Sequence, residues 1–189
     1  HTMKLGAEDY ILKPLVETRL LPVIKKIRTV NEAFTKVIYE RKSPPFCELN
    51  RYIHIVAPTD MTVLILGSTG TGKEHLAKKI HRQSLRSGKP YVTVDCGSLS
   101  KELAPSAFFG HVKGAFTGAT EEKAGYFQEA QGGTLFMDEV ENLSIETQRM
   151  LLRAMEERRY RPVGGQRDRL MDVRIIAATN EDLQEAVAE

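Results

Sequence analysis

Val63-Leu64-Ile65-Leu66 runs straight into Gly67-Ser68-Thr69-Gly70-Thr71-Gly72-Lys73-Glu74, and a helix is predicted to open at once, from about Glu74 to Leu85. Few arrangements constrain a fold as tightly. An unbroken apolar run suits a strand covered on both faces. The glycines let the backbone curl so that successive N–H groups point inward, and a helix N-terminus just beyond adds partial positive charge. Such a segment is shaped to hold a polyphosphate, with Lys73 placed to reach the β- and γ-phosphates. A turn that merely needs positive φ would use the same glycines, but the strand before and the helix after favour the phosphate reading. The pattern ordinarily closes on Ser or Thr, whose hydroxyl binds Mg2+. Here Glu74 stands in that place, and a carboxylate can meet Mg2+ directly or through water.

The same alternation continues along the chain. Tyr91-Val92-Thr93-Val94, Leu135-Phe136-Met137 and Arg174-Ile175-Ile176-Ala177 read as further buried strands. Leu143, Met150, Leu151, Ala154 and Met155 form a helical stripe with Ser144 as its N-cap. Apolar strands separated by helices predict a parallel sheet covered on both faces, so the fold class is α/β. Upstream, Tyr10-Ile11-Leu12 is a short strand candidate ending in Lys13-Pro14. From Val16 to about Tyr39, residues Leu20, Leu21, Ile24, Ile27 and Val30 mark one face of a helix. Ser43-Pro44-Pro45 then sets a boundary.

Thr134-Leu135-Phe136-Met137 stops in Asp138-Glu139. At the C-terminal end of a parallel strand these carboxylates would face the same crevice as the glycine loop. Asp138 suits a Mg2+ contact, and Glu139 suits polarising the water that attacks a γ-phosphate. An acidic strand end is by itself a common solvated feature. Following a phosphate loop by about 65 residues, it points to a nucleoside triphosphatase. Composition adds exclusions. A net charge of +2 gives no whole-chain argument for nucleic-acid binding. Cys47 and Cys96 lie far apart, fit no metal spacing, and read as reduced thiols of a cytoplasmic protein. The apolar runs are far too short to span a membrane.

Nucleotide chemistry does not account for His111-Val112-Lys113-Gly114-Ala115-Phe116-Thr117-Gly118-Ala119, a small-residue loop presenting one aromatic ring and one hydroxyl. On this loop the chain resembles the central AAA+ domain of NtrC-like bacterial enhancer-binding proteins, whose Gly-Ala-Phe-Thr-Gly-Ala loop touches sigma-54. The likeness extends over residues 42–189. It includes Val56-Ala57-Pro58-Thr59-Asp60, Gly67 to Glu74 (the family itself usually carries Glu last), Phe109-Gly110-His111 and Gly132 to Glu139. It continues through Val163-Gly164-Gly165 and Asp172 to Asn180. The resemblance implies a P-loop NTPase core of three layers, α/β/α, using ATP and Mg2+. It gives Gly114, Ala115, Phe116, Thr117, Gly118 and Ala119 the sigma-54 contact. Thr179-Asn180 would end the strand that senses the γ-phosphate, and Val163-Gly164-Gly165 would belong to a second pore-facing loop.

Residues 1–15 resemble the end of a response-regulator receiver domain, with Leu5-Gly6-Ala7-Glu8-Asp9-Tyr10 before Lys13-Pro14. Residues 16–41 would then be a linker helix. The departures from the family are also specific. Asp95 stands where Asn usually restrains the water-activating Glu, which makes Asp95 a switch candidate. Ala107 replaces a common Glu beside the sigma-contacting loop, and Glu141-Asn142 replace Gly-Glu. The family continues past the position of Glu189 into trans-acting arginines, a last core strand, a helical lid and a DNA-binding helix-turn-helix. The chain is therefore expected to be a fragment, with Val63 to Leu66 at an exposed sheet edge.

The implied activity is ATP hydrolysis by a ring, typically a hexamer, that activates sigma-54 RNA polymerase. The implied partners are a sensor histidine kinase and, through the further domain, promoter-upstream DNA. Two alternatives stand beside it: a general AAA+ unfoldase, or a regulatory scaffold that does not hydrolyse ATP. The Phe116 frame speaks against the first, and Lys73, Asp138 and Glu139 speak against the second.

Overall fold

The structure is a computed structural model that describes residues 43–181. The strand at Tyr10–Leu12, the receiver-like segment and the linker helix lie outside the described residues. The chain divides into two compact units at Leu49 and Asn50. Helix α1, Pro44–Val56, crosses that division, with its prolines in the first turn, where no intrahelical N–H bond is lost.

From Asn50 onward the elements follow the α/β order expected from the sequence. Strand β1 is Val63–Leu66, followed by α2 at Lys73–Arg82 and β2 at Tyr91–Asp95. Helices α3, Ala104–Phe109, and α4, Tyr126–Glu129, precede β3 at Thr134–Asp138. Helix α5 is Ile145–Glu157, then a small hairpin of β4, Arg159–Tyr160, and β5, Arg169–Leu170, leads to β6 at Arg174–Thr179. The main sheet is ordered β1-β6-β3-β2 and every pairing is parallel. Ser144 caps α5 as expected, its hydroxyl accepting from Thr147 N at 3.3 Å.

The two central strands separate two apolar layers by strand alternation. Leu135, Met137 and Ile175 join Phe108, Phe109, Phe127, Leu151 and Ala154 on one face. Phe136, Ile176 and Ala178 join Ile53, Ile65, Ala77 and Ile80 on the other. Each fully buried large side chain contributes about 2–3 kcal/mol to this sandwich. Strand β1 ends the sheet among the described residues, leaving Leu66 56% exposed. The edge position expected for Val63 to Leu66 is the one observed.

Two arginines tie down the edge where the strands begin. Arg174, 1% exposed at the start of β6, donates to the carbonyls of Val56 (2.9 Å), Ala57 (2.6 Å) and Met61 (3.3 Å). It thereby adds donors at the C-terminus of α1, where carbonyls run out of intrahelical partners. Burial holds its guanidinium below the usual arginine range. Arg86 makes a two-pronged ion pair with Asp60 (2.9 and 3.0 Å) and reaches Asp172 at 2.7 Å. The Arg86 guanidinium holds the Asp60 carboxyl below its ordinary value.

Candidate functional site

Because β1, β6 and β3 are parallel neighbours, their C-terminal ends leave the sheet on one side. Leu66 is paired with Thr179, and Met137 with Ala177. The glycine loop and the acidic pair therefore flank β6 at the same edge, about 10 Å apart given two strand spacings. Gly67 N donates to Thr179 O at 3.3 Å, which welds the start of the loop to the end of β6.

The loop takes the curled form its glycines allow. Gly70 and Gly72 sit at φ 79° and 91°, a region costly for a residue with a Cβ, and Gly72 serves as N-cap of α2. Thr71 Oγ1 donates to Ser68 O at 2.7 Å and closes the curl. Lys73 is buried, and its ammonium donates to Gly67 O (2.9 Å) and Ser68 O (3.4 Å). These carbonyls hold the ammonium inside the concavity of the loop. Glu74 is exposed in the first turn of α2.

On the other side of β6, Asp138 Oδ1 accepts from Glu139 N at 3.1 Å. Glu139 lies in the left-handed region, φ 54° and ψ 48°, which is uncommon for a residue with a side chain. Its Oε2 accepts from Asn142 Nδ2 at 3.1 Å. The same oxygen lies so close to Gly97 that a Cβ there would stand 2.5 Å from it, and 3.3 Å from Asp95 Oδ1. Asp95 is paired with Asp138 in the sheet and caps the short helical turn Cys96–Ser98, accepting from Gly97 N at 3.0 Å. Asp95, Glu139 and Asn142 thus gather around Gly97, whose missing side chain leaves the room. Glu141 Oε1 accepts from Asn180 N at 3.5 Å.

The field of this cluster reads out on Cys96. Its buried thiol is pushed up to about 12, first by burial and then by Asp95, Asp138, Glu141 and Glu139. The thiol is protonated at neutral pH and unreactive. Glu141 Oε2 is buried without a hydrogen-bond partner among the described residues. Together with Asp138 and the exposed Glu74, the edge has carboxylate oxygens to offer a hydrated divalent cation. No three His, Cys, Asp or Glu side chains among the described residues form a metal cage.

The Phe116 loop is a set of nested turns. Gly114 N donates to Ala119 O (2.8 Å) and Ala119 N to Phe116 O (3.0 Å), with Gly114 and Gly118 at φ 80° and 101°. Phe116 and Thr117 are exposed, while Ala119 is buried. Beneath the loop, Val163 N donates to Gly110 O (2.9 Å) and Val112 N to Val163 O (3.1 Å). A Cβ on Gly164 would stand 2.8 Å from Ala115 Cβ, so the two loops pack backbone to side chain. Ala107 lies half-buried on α3. Sequence reasoning missed Gly97, Ser106 and this Gly164 contact. Nothing in local patterning marks them: Gly97 and Gly164 matter through residues far along the chain, and Ser106 through an imidazole whose orientation only the folded loop sets.

Fold and site define a P-loop nucleotide-binding domain of the parallel α/β class. The sigma-54 interaction domain family matches residues 39–189, and the chain belongs to that family. It is 43% identical to the transcriptional regulatory protein ZraR of Salmonella typhimurium, over 98% of this chain and 44% of that protein. It is 45% identical to the response regulator PilR of Pseudomonas aeruginosa, over 96% of this chain and 42% of that protein. The chain thus spans less than half the length of these relatives. Among solved structures, NtrX of Brucella abortus superposes with a TM-score of 0.72 at 33% identity, covering 96% of this chain and 40% of NtrX. NtrX has also been solved in complex with ADP and with ATP. No helix among the described residues is long and apolar enough to cross a membrane.

Proposed function

We propose that this chain is the ATPase core of a response regulator that activates sigma-54 RNA polymerase. The observation that carries the reading is the shared edge: the Gly67–Lys73 curl and Asp138-Glu139 flank the same strand end. Backbone N–H groups of the curl and the N-terminus of α2 bind the polyphosphate, and Lys73 exchanges its two carbonyl partners for β- and γ-phosphate oxygens. Asp138 and Glu74 would hold Mg2+, which would supply positive charge beside the phosphates. Glu139 orients and deprotonates the attacking water, and Asp95 sets how freely it does so. Asn180, at the end of β6, reports the γ-phosphate.

Hydrolysis then moves the Gly114–Ala119 loop, which carries Phe116 and Thr117 to sigma-54. The ring is a self-assembly, a hexamer in the full-length cytoplasmic protein, with arginines of a neighbour completing each site. A sensor histidine kinase controls the receiver, and the further domain engages DNA upstream of the promoter. In full-length protein, Thr117→Ala keeps ATP turnover and loses transcriptional activation in a reconstituted sigma-54 assay. Activation that survives this change removes the loop as the sigma-54 contact.

A further inference from the structure

The aromatic ring at the tip of the loop is neither free nor buried. Phe116 is 38% exposed, and its ring meets the imidazole of His111 at 5.0 Å between centroids and 65° between planes. That is the edge-to-face arrangement aromatic pairs prefer. His111 is not part of the loop's exposed tip. It is 9% exposed and its backbone exchanges both hydrogen bonds with Lys123, each at 3.0 Å. Val163 brackets it on the other side through Gly110 and Val112. Its Nδ1 shares a 2.7 Å hydrogen bond with Ser106 Oγ on α3, which leaves the ring one orientation. A fixed imidazole thus stands under a turn whose own bonds close within Gly114–Ala119.

We infer that His111 is the positioning residue for Phe116, with Ser106 setting the angle of the imidazole. The role rests on the reading of this loop as the sigma-54 contact. A ring seated on His111 meets its partner already oriented, whereas an unseated ring must be ordered during binding. The contacts of His111 are with Ser106, Phe116, Lys123 and Val163 and include neither Lys73 nor the carboxylates of Asp138 and Glu139, so its loss acts on partner binding and not on hydrolysis.

The test places 4-fluorophenylalanine at position 116 of the full-length protein and follows its fluorine resonance without sigma-54. His111→Ala and His111→Gln move the resonance toward that of a solvent-exposed ring. Ser106→Ala, which keeps the imidazole and covers the case in which His111 variants fail to fold, moves it the same way, and Ser106→Thr restores it. A resonance unmoved by both His111→Ala and Ser106→Ala overturns the seat. With a non-hydrolysable ATP analogue bound, His111→Ala lowers affinity for purified sigma-54 by about tenfold, with ATP turnover within about twofold of the parent. If Phe116→Ala weakens sigma-54 binding and His111→Ala leaves it intact, the positioning role fails while the loop reading stands. If Phe116→Ala itself leaves sigma-54 binding intact, the loop reading fails, and the role of His111 toward sigma-54 with it.

Discussion

Where the strands begin, Arg86 and Arg174 meet carboxylates and carbonyls with nearly every donor they have. Where the strands end, Glu139 sits in a left-handed backbone, Glu141 keeps a buried oxygen without a partner among the described residues, and Lys73 rests on two carbonyls of its own loop. One edge is satisfied internally, and the other is left with donors and acceptors suited to an external ligand. On the proposed reading, stability and function reside at opposite ends of the same four strands. A substitution should affect one and spare the other.

The largest separation is expected for Lys73→Ala. ATP affinity should fall by on the order of a thousandfold in a calorimetric titration, because a charge-assisted contact to two phosphates is lost. The melting temperature should change little. A variant that melts early but binds ATP normally would reverse the assignment of this edge. Arg174→Leu is the counterpart. It removes the guanidinium donors from the Val56, Ala57 and Met61 carbonyls, of which the buried Ala57 carbonyl loses most, and should cost on the order of 3 kcal/mol in denaturant unfolding. The protein that remains folded should bind ATP with unchanged affinity.

Glu139 lets the comparison be sharpened at one residue. Replacing it by Gly relieves the left-handed backbone and should stabilise the chain by about 1 kcal/mol. ATP hydrolysis should nevertheless fall by about a hundredfold, as it should for Glu139→Gln, which keeps the strain. Equal stability of the Gly and Gln variants would show that the backbone at this position stores nothing. The smallest effect is expected from Arg86→Gln. The folded Asp60 carboxyl titrates below its ordinary 3.8, so its contribution is present above that pH and is lost as pH falls through the lower, folded value. The stability advantage of the parent over Arg86→Gln should therefore shrink on acidification below about pH 4. An advantage that stays constant down to pH 2 would mean that the ion pair is not its source.

Legibility from sequence divides along similar lines. The four main strands were all readable as apolar runs, with Thr134 already placed at the start of β3 and Thr179 at the end of β6. β2 and β3 ran one residue past their apolar stretches, to Asp95 and Asp138. Sheet pairing added these termini, because a polar residue joins a strand when its neighbour offers a ladder partner. The α2 helix ended earlier than expected, at Arg82, with Ser84 capping His81 O at 2.7 Å in the turn that follows. Helices α1, α3 and α4 and the β4–β5 hairpin were not foreseen. Six residues are too few to show a helical period, and two-residue strands have no alternation to show.

The sequence alone determined the phosphate loop, because strand, glycines, lysine and helix are contiguous and their chemistry is carried by the local backbone. It likewise determined the α/β class, since burial on both faces writes itself into unbroken apolar runs. Only the tertiary structure decided that Asp95 and Glu139 share the space left by Gly97, that Phe116 rests on His111, and that Arg174 closes the end of α1. The first and last join residues remote in the chain through strand order and register, and the Phe116 seat depends on how Lys123, Val163 and Ser106 fix the neighbouring His111. Strand order and register are set by the packing of the whole sheet and leave no mark in the local pattern.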